Sequence, residues 1–180
     1  MSLPERKRNR LSNYDYSSNG AYFITICTLD MQCVLSTIVG ADDLGVGADD
    51  LDVGADDLGS PKVRLTKYGY IVEKNLVHMN EIYDEIKIDK YVIMPNHVHI
   101  LLTVEHNGFS GAPRSSPPTN TLSKFVAALK KFTNKEIGNN IWQRSFHDHI
   151  IRNDEDYFLH LQYIEENPKK WIIGKDKYYT

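Results

Sequence analysis

Two short stretches place reactive side chains at spacings that matter. The first is Pro95-Asn96-His97-Val98-His99, heading the apolar run His97–Val104. Side chains alternate across a strand, so His97 and His99 share a face with Leu101 and Thr103, while Val98, Ile100, Leu102 and Val104 take the other. Adjacent same-face imidazoles on a rigid strand can bind one divalent ion. Taken alone, the pattern also fits two histidines on a sheet surface. The second stretch is Tyr163-Ile164-Glu165-Glu166-Asn167-Pro168. Residues four apart lie on one helix face, so Tyr163 and Asn167 can point into one cleft together. A helical tyrosine is more often a packing residue, and with 11 tyrosines in the chain Tyr163 by itself assigns nothing. His147-Asp148-His149 repeats the H-x-H spacing with a charged middle residue and reads as a surface or supporting element. His78, His106 and His160 have no partner at ligand spacing, although His160 lies one helical turn before Tyr163.

The elements that must position these residues follow from pattern. Ala21–Thr28 (AYFITICT) is aromatic and β-branched and reads as a strand, with Gln32–Thr37 expected to pair with it as a hairpin. Lys62–Leu65 reads as a short strand. Thr66–Ile82 carries apolar residues at near-helical spacing behind a Thr66 cap. Ile86–Met94 and His97–Val104 form two strands in succession around the Pro95-Asn96 break. A second helix is expected over Leu122–Ile137, and a third over Asp154–Glu166, capped at Asn153 or Asp154 and stopped by Pro168. The mixture lacks regular βαβ repetition, which favours an α+β domain with a largely antiparallel sheet.

Composition narrows the setting. At 180 residues, 41% hydrophobic and 25% charged, the chain is expected to form one globular domain, residues 1–180. Two segments interrupt it. Residues 40–60 repeat GADDLGV, GADDLDV and GADDLGS, a Gly- and Asp-rich pattern with poor helix propensity that reads as a solvated loop. Such a repeat can chelate hard cations, but its spacing fits no EF-hand loop. Residues 105–119 are rich in Pro, Gly and Ser and read as a flexible linker. The net charge of -3 conceals seven aspartates in the repeat; without them 21 basic residues face 17 acidic ones, a balance of +4 that permits phosphate binding. Cys27 and Cys33 form no C-x-x-C pair, which argues against a disulfide framework and for a reducing cytoplasm. The opening MSLPERKRNR lacks the apolar stretch of a secretory leader, and no membrane span is expected. Neither G-x-G-x-x-G nor a Walker A sequence occurs, so the usual nucleotide-cofactor readings fall away.

Taken together, Arg6-Lys7-Arg8-Asn9-Arg10 with Tyr14-Asp15-Tyr16, Gly20-Ala21-Tyr22-Phe23-Ile24-Thr25, Tyr91 through His99, Ile141-Trp142-Gln143-Arg144, and Tyr163-Ile164 with Asn167-Pro168 have a familiar order. The chain resembles the REP-associated tyrosine transposases, single-tyrosine transposases of the HUH (His-hydrophobic-His) nuclease superfamily. The resemblance spans most of the chain outside the repeat and the linker. It implies a ferredoxin-like α+β fold, His97 and His99 as ligands of Mg²⁺ or Mn²⁺, Asn167 as the third ligand and Tyr163 as the nucleophile. It further implies a substrate of single-stranded DNA next to a short hairpin, cleaved and rejoined through a covalent 5′-phosphotyrosine. Relatives can act as dimers, so a homodimer is one arrangement it allows. Two departures bear on substrate choice: the acidic repeat has no place in the family pattern, and Lys169-Lys170-Trp171 follows Asn167-Pro168 where many members carry a small apolar residue.

Candidate DNA-backbone contacts are Arg6, Lys7, Arg8 and Arg10, then Lys124 and Lys131 on the second helix with Lys130 and Lys135 beside them, then Arg144, Arg152, Lys169 and Lys170. Tyr14, Tyr16 and Trp142 are candidates to stack on unpaired bases. Two rival functions remain open at this point: a non-catalytic hairpin-DNA-binding protein, and a metal phosphoesterase that activates water and leaves Tyr163 incidental.

Overall fold

A computed structural model describes residues 19–40, 61–105 and 121–174. Arg6, Lys7, Arg8, Arg10, Tyr14 and Tyr16 lie outside these residues, as does nearly all of the repeat and of the linker. The strands are β1 (Gly20–Cys27), β2 (Ser36–Val39), β3 (Lys62–Leu65), β4 (Ile86–Ile93), β5 (His97–Val104) and β6 (His147–Ile151). The helices are α1 (Lys67–Ile82), α2 (Thr121–Ile137) and α3 (Asp154–Ile172). Four strands make an antiparallel sheet in the order β4-β5-β1-β6, with β2 and β3 in a separate ribbon. Strands β1, β4, β5 and β6, interleaved with α1 and α2, reproduce the ferredoxin-like β-α-β-β-α-β order.

The alternation expected of β5 holds, and it divides the molecule. Val98, Ile100, Leu102 and Val104 join Tyr22, Ile24 and Ile26 of β1 in the main core, under Val72, Leu76 and Met79 of α1 and Leu122, Phe125, Val126 and Leu129 of α2. Leu101 turns the other way, with Phe23, to meet Ile164 of α3. The histidine face of the sheet is therefore covered by α3, and α1 and α2 lie behind it.

Two expectations need correction. Gln32–Thr37 does not pair with β1. The chain leaves β1 through a single 3₁₀ turn, Leu29–Met31, in which Asp30 and Met31 take positive φ, and only Ser36–Val39 is strand, paired with Lys62–Leu65. The reason lies in β1 itself: it is buried from Tyr22 to Cys27 on both faces, and takes the long apolar β5 on one side and β6 on the other. The second correction concerns α3, which does not stop at Pro168 but runs to Ile172 with the proline inside. A proline within a helix costs about 3 kcal/mol. Ile164, Asn167 and Pro168 are the buried residues of this helix, and burying a large apolar side chain returns roughly 1.5–3 kcal/mol, so continuing along the sheet is favoured over ending. The H-D-H segment is a surface element as its pattern suggests, and as β6 it forms the exposed sheet edge beside β1.

Capping follows the sequence. The Thr66 side chain accepts from the Gly69 N–H, and the Asn153 side chain from the Asp156 N–H. Gly69 has a further role: a Cβ there would lie 2.1 Å from the Leu35 carbonyl oxygen. That carbonyl is held by both the N–H and the hydroxyl of Thr66, each at 2.9 Å, and has little room to retreat. Gly69→Ala is therefore expected to destabilise the fold by about 2–3 kcal/mol, more than the roughly 1 kcal/mol gained in helix propensity. A lowered urea midpoint would show it; an unchanged midpoint would refute the close approach of the Leu35 carbonyl to α1.

Candidate active site

The β4–β5 turn sets the first histidine. Met94 N–H donates to the His97 carbonyl at 2.9 Å, and the Asn96 carbonyl accepts from both the Thr28 N–H and the Thr28 hydroxyl at 2.9 Å. Asn96 is fully buried, and its side-chain Oδ1 lies 2.7 Å from His97 Nδ1. A carbonyl oxygen only accepts, so Nδ1 carries the proton and Nε2 carries the ring's lone pair. His99 is held similarly: its Nδ1 is 2.8 Å from the Thr25 hydroxyl of β1, its register partner across the ladder. The two imidazole rings sit 4.5 Å apart.

Both rings are enclosed, His97 at 0% and His99 at 1% exposure. Burial lowers the pKa of His97 from 6.5 to about 3, opposed by the nearby Asn167 amide, so this imidazole is neutral across the physiological range. Asn167 is itself fully buried, and neither of its amide atoms makes a hydrogen bond of ordinary geometry among the described residues. Buried amides are ordinarily satisfied. Two imidazoles, each held at Nδ1, beside a buried amide oxygen that makes no ordinary hydrogen bond are a donor set that fits a divalent cation taken through the Nε2 atoms. Two nitrogens to one oxygen suit Mn²⁺ better than the harder Mg²⁺.

Tyr163 stands next to this group on α3. Its ring is 5.2 Å from His99 and edge-on to Phe23 at 5.8 Å, with the Lys170 ammonium 4.7 Å from the ring centroid. Tyr163 and His99 line one cleft of about 550 Å³ together with Phe23, Thr25 and His160. His97 and Asn167 are closed off behind it, with Trp171 6.1 Å from the His97 ring. The helical spacing places Tyr163 on the cleft and Asn167, which lies within the helix and not at its end, buried behind it near His97, so the two side chains do not open into one cleft as the spacing alone suggests.

The basic candidates divide. Lys124 and Lys131 are exposed on α2, across the sheet from the histidines, and do not meet Tyr163. Lys130 donates to the carbonyls of Gln143 and Ser145, both at 2.8 Å, and burial draws its pKa down to about 8; it pins the loop before β6. Trp142 is buried, its indole N–H donating to Thr133 at 2.7 Å, and does not present a free stacking face. Arg144 and Arg152 are exposed at the two ends of β6, the strand whose His147–His149 segment also lines the cleft. Sequence reasoning passed over Asn96, Thr25 and Phe23. Thr25 could have been found only from the strand register, and Asn96 from its place immediately before the first histidine.

No family model matches the chain. It is 26% identical to a Haemophilus influenzae protein of no assigned activity over 94% of this chain and 91% of that one. It is 33% identical to the REP-associated tyrosine transposase of Escherichia coli across 48% of this chain and 47% of that protein, so the match spans about half of that relative's length. Among solved structures, a REP-associated tyrosine transposase bound to a REP hairpin superposes with a TM-score of 0.58 at 20% identity, covering 97% of this chain and 77% of the other. The chain is thus similar to REP-associated tyrosine transposases in sequence over part of its length and shares their fold. Among the described residues, no helix is long and apolar enough to cross a membrane.

Proposed function

We propose that this chain is a divalent-metal-dependent nuclease and strand transferase, a transposase in type, acting on single-stranded DNA beside a hairpin in the cytoplasm. The observation that carries the reading is the meeting of Tyr163 and His99 on one cleft, with His97 and Asn167 buried together directly behind it. Residues 1–180 are taken as one domain of this kind, interrupted by the repeat and the linker.

His97, His99 and Asn167 would hold Mn²⁺ or Mg²⁺, which when bound withdraws charge from the non-bridging oxygens of a phosphodiester. Tyr163 Oη attacks phosphorus as the P–O3′ bond breaks. The phenol proton is given up, the departing 3′ oxygen takes one, and the DNA 5′ phosphate remains esterified to Tyr163. Rejoining is the reverse with another 3′-hydroxyl and needs no nucleotide cofactor. Arg144, Arg152 and Lys170 are the cations best placed for the phosphate backbone; Lys124 and Lys131 would contact only a strand that wraps to the other side of the sheet. A homodimer is compatible with this chemistry but not required by it.

The test is incubation of the protein with end-labelled single-stranded DNA containing a hairpin, with Mn²⁺ and with chelator, resolved on a denaturing gel. A metal-dependent adduct carrying the fragment 3′ of the cut supports the reading. Tight hairpin binding without cleavage would replace it with a non-catalytic binder.

The Thr25 hydroxyl offers a finer check. Thr25→Val keeps the β-branched shape on β1 and removes the contact that orients His99. Losing such an orienting partner typically weakens metal affinity about 10–100-fold, which Mn²⁺ calorimetry would register. Unchanged affinity would show that the Thr25 hydroxyl does not orient His99 for the ion.

A further inference from the structure

A second group of ligand-type side chains lies in the same cleft wall. His149 on β6 and Asp156 and His160 on α3 each offer one donor atom, all within 4.8 Å of one another. His149 Nε2 lies 3.1 and 3.0 Å from the two Asp156 carboxylate oxygens, and His160 Nδ1 lies 3.1 Å from Oδ1. The imidazole rings stack at 4.6 Å with 20° between their planes, both turned to one carboxylate. Asp156 is fixed from outside the cluster as well: its Oδ2 accepts the Arg152 N–H at 3.1 Å. The helix-capping bond from the Asp156 N–H to Asn153 sets the start of α3, so β6 and the first turns of α3 hold the three side chains together.

We propose that His149, Asp156 and His160 form a second metal site, selective for a late first-row divalent cation such as Zn²⁺ or Co²⁺. Two imidazole nitrogens and one carboxylate oxygen are the donor types such ions prefer, and a poor set for Mg²⁺. Ligands at 2.0–2.1 Å in tetrahedral geometry stand about 3.3 Å from each other, close to the donor spacings here. The two nitrogens lie within 4.8 Å of each other, and on binding the half-exposed His149 ring would turn to close that gap. Binding displaces the imidazole–carboxylate hydrogen bonds and the contact of His160 Nδ1 with the Asp156 carbonyl at 2.8 Å, so the ion competes with existing partners. Three protein ligands leave a coordination position for water or a phosphate oxygen. The position suits that use. The Phe23 ring touches both clusters, 4.7 Å from His160 and 4.9 Å from His99, and His149, His160 and Tyr163 face one cleft. The site is distinct from His97, His99 and Asn167 and does not depend on their assignment.

The experiment is titration of the metal-stripped full chain with Co²⁺, read by calorimetric stoichiometry and by the visible absorption of the bound ion. It is run on wild type, His149→Ala/His160→Ala, Asp156→Asn and His97→Ala/His99→Ala, each checked for folding by circular dichroism. Asp156→Asn retains an oxygen to accept the Arg152 N–H, so its loss of binding is not a loss of fold. Wild type is expected to take two Co²⁺ per chain, and the His149→Ala/His160→Ala and Asp156→Asn chains one. A single ion in wild type that persists in His97→Ala/His99→Ala and disappears with His149 and His160 would support this site while refuting the other. Stoichiometry and spectrum unchanged by either the His149→Ala/His160→Ala or the Asp156→Asn change would overturn the proposal.

Discussion

Replacing Tyr163 with phenylalanine is expected to eliminate the covalent DNA adduct and to slow strand cleavage by at least about a thousandfold, because no other group inherits the bond to phosphorus. The substitution isolates the hydroxyl. Phe keeps the ring that meets Phe23 at 5.8 Å and His99 at 5.2 Å, and keeps a π face beneath the Lys170 ammonium. Tyr163 packs at the margin of the Phe23, Leu101 and Ile164 cluster, where the ring supplies the contact. Thermal stability and hairpin binding are therefore expected to stay close to wild type, and a mobility-shift assay beside the cleavage gel would separate lost chemistry from lost fold. Cleavage that continues in Tyr163→Phe with Mn²⁺ and without an adduct would assign the reaction to activated water and make the tyrosine a packing residue.

How much of this could be read from residues alone depends on how local each cause is. Strand alternation is local, so the two faces of His97–Val104 were legible, as were the Thr66 and Asn153 caps. The helical spacing of Tyr163 and Asn167 was equally direct. What stayed hidden was set at long range. Which face of the sheet a helix covers is decided by topology, and Lys124 and Lys131 look the same in sequence whether α2 lies before or behind the histidines. Pro168 reads as a stop until the burial of Ile164 and of Pro168 itself is known. The edge strand His147–Ile151 owes its pairing to β1 and not to its own pattern. The joining of His149 to Asp156 and His160 follows from that pairing, so it was illegible for the same reason.

The enclosure of His97 leads to a second large effect, in which function and stability move in opposite directions. Folded His97 titrates at about 3, whereas an unfolded histidine titrates near 6.5. Between those values the unfolded chain binds a proton that the folded chain refuses, so the stability present above pH 6.5 is lost as pH falls toward 3, by up to about 1.4 kcal/mol per pH unit. The same refusal keeps the ring neutral and available as a ligand at mildly acidic pH, where an exposed imidazole would have to release a proton first. His97→Ala should then lose metal-dependent cleavage by more than about a hundredfold at neutral pH, and its urea midpoint should fall less steeply than wild type between pH 6 and pH 4. Comparing slopes removes the constant cost of the cavity left by the missing ring. Equal slopes would mean that His97 takes up its proton in the folded state after all, and surviving cleavage would remove it from the metal site; only the two losses together tie the buried neutral imidazole to the chemistry.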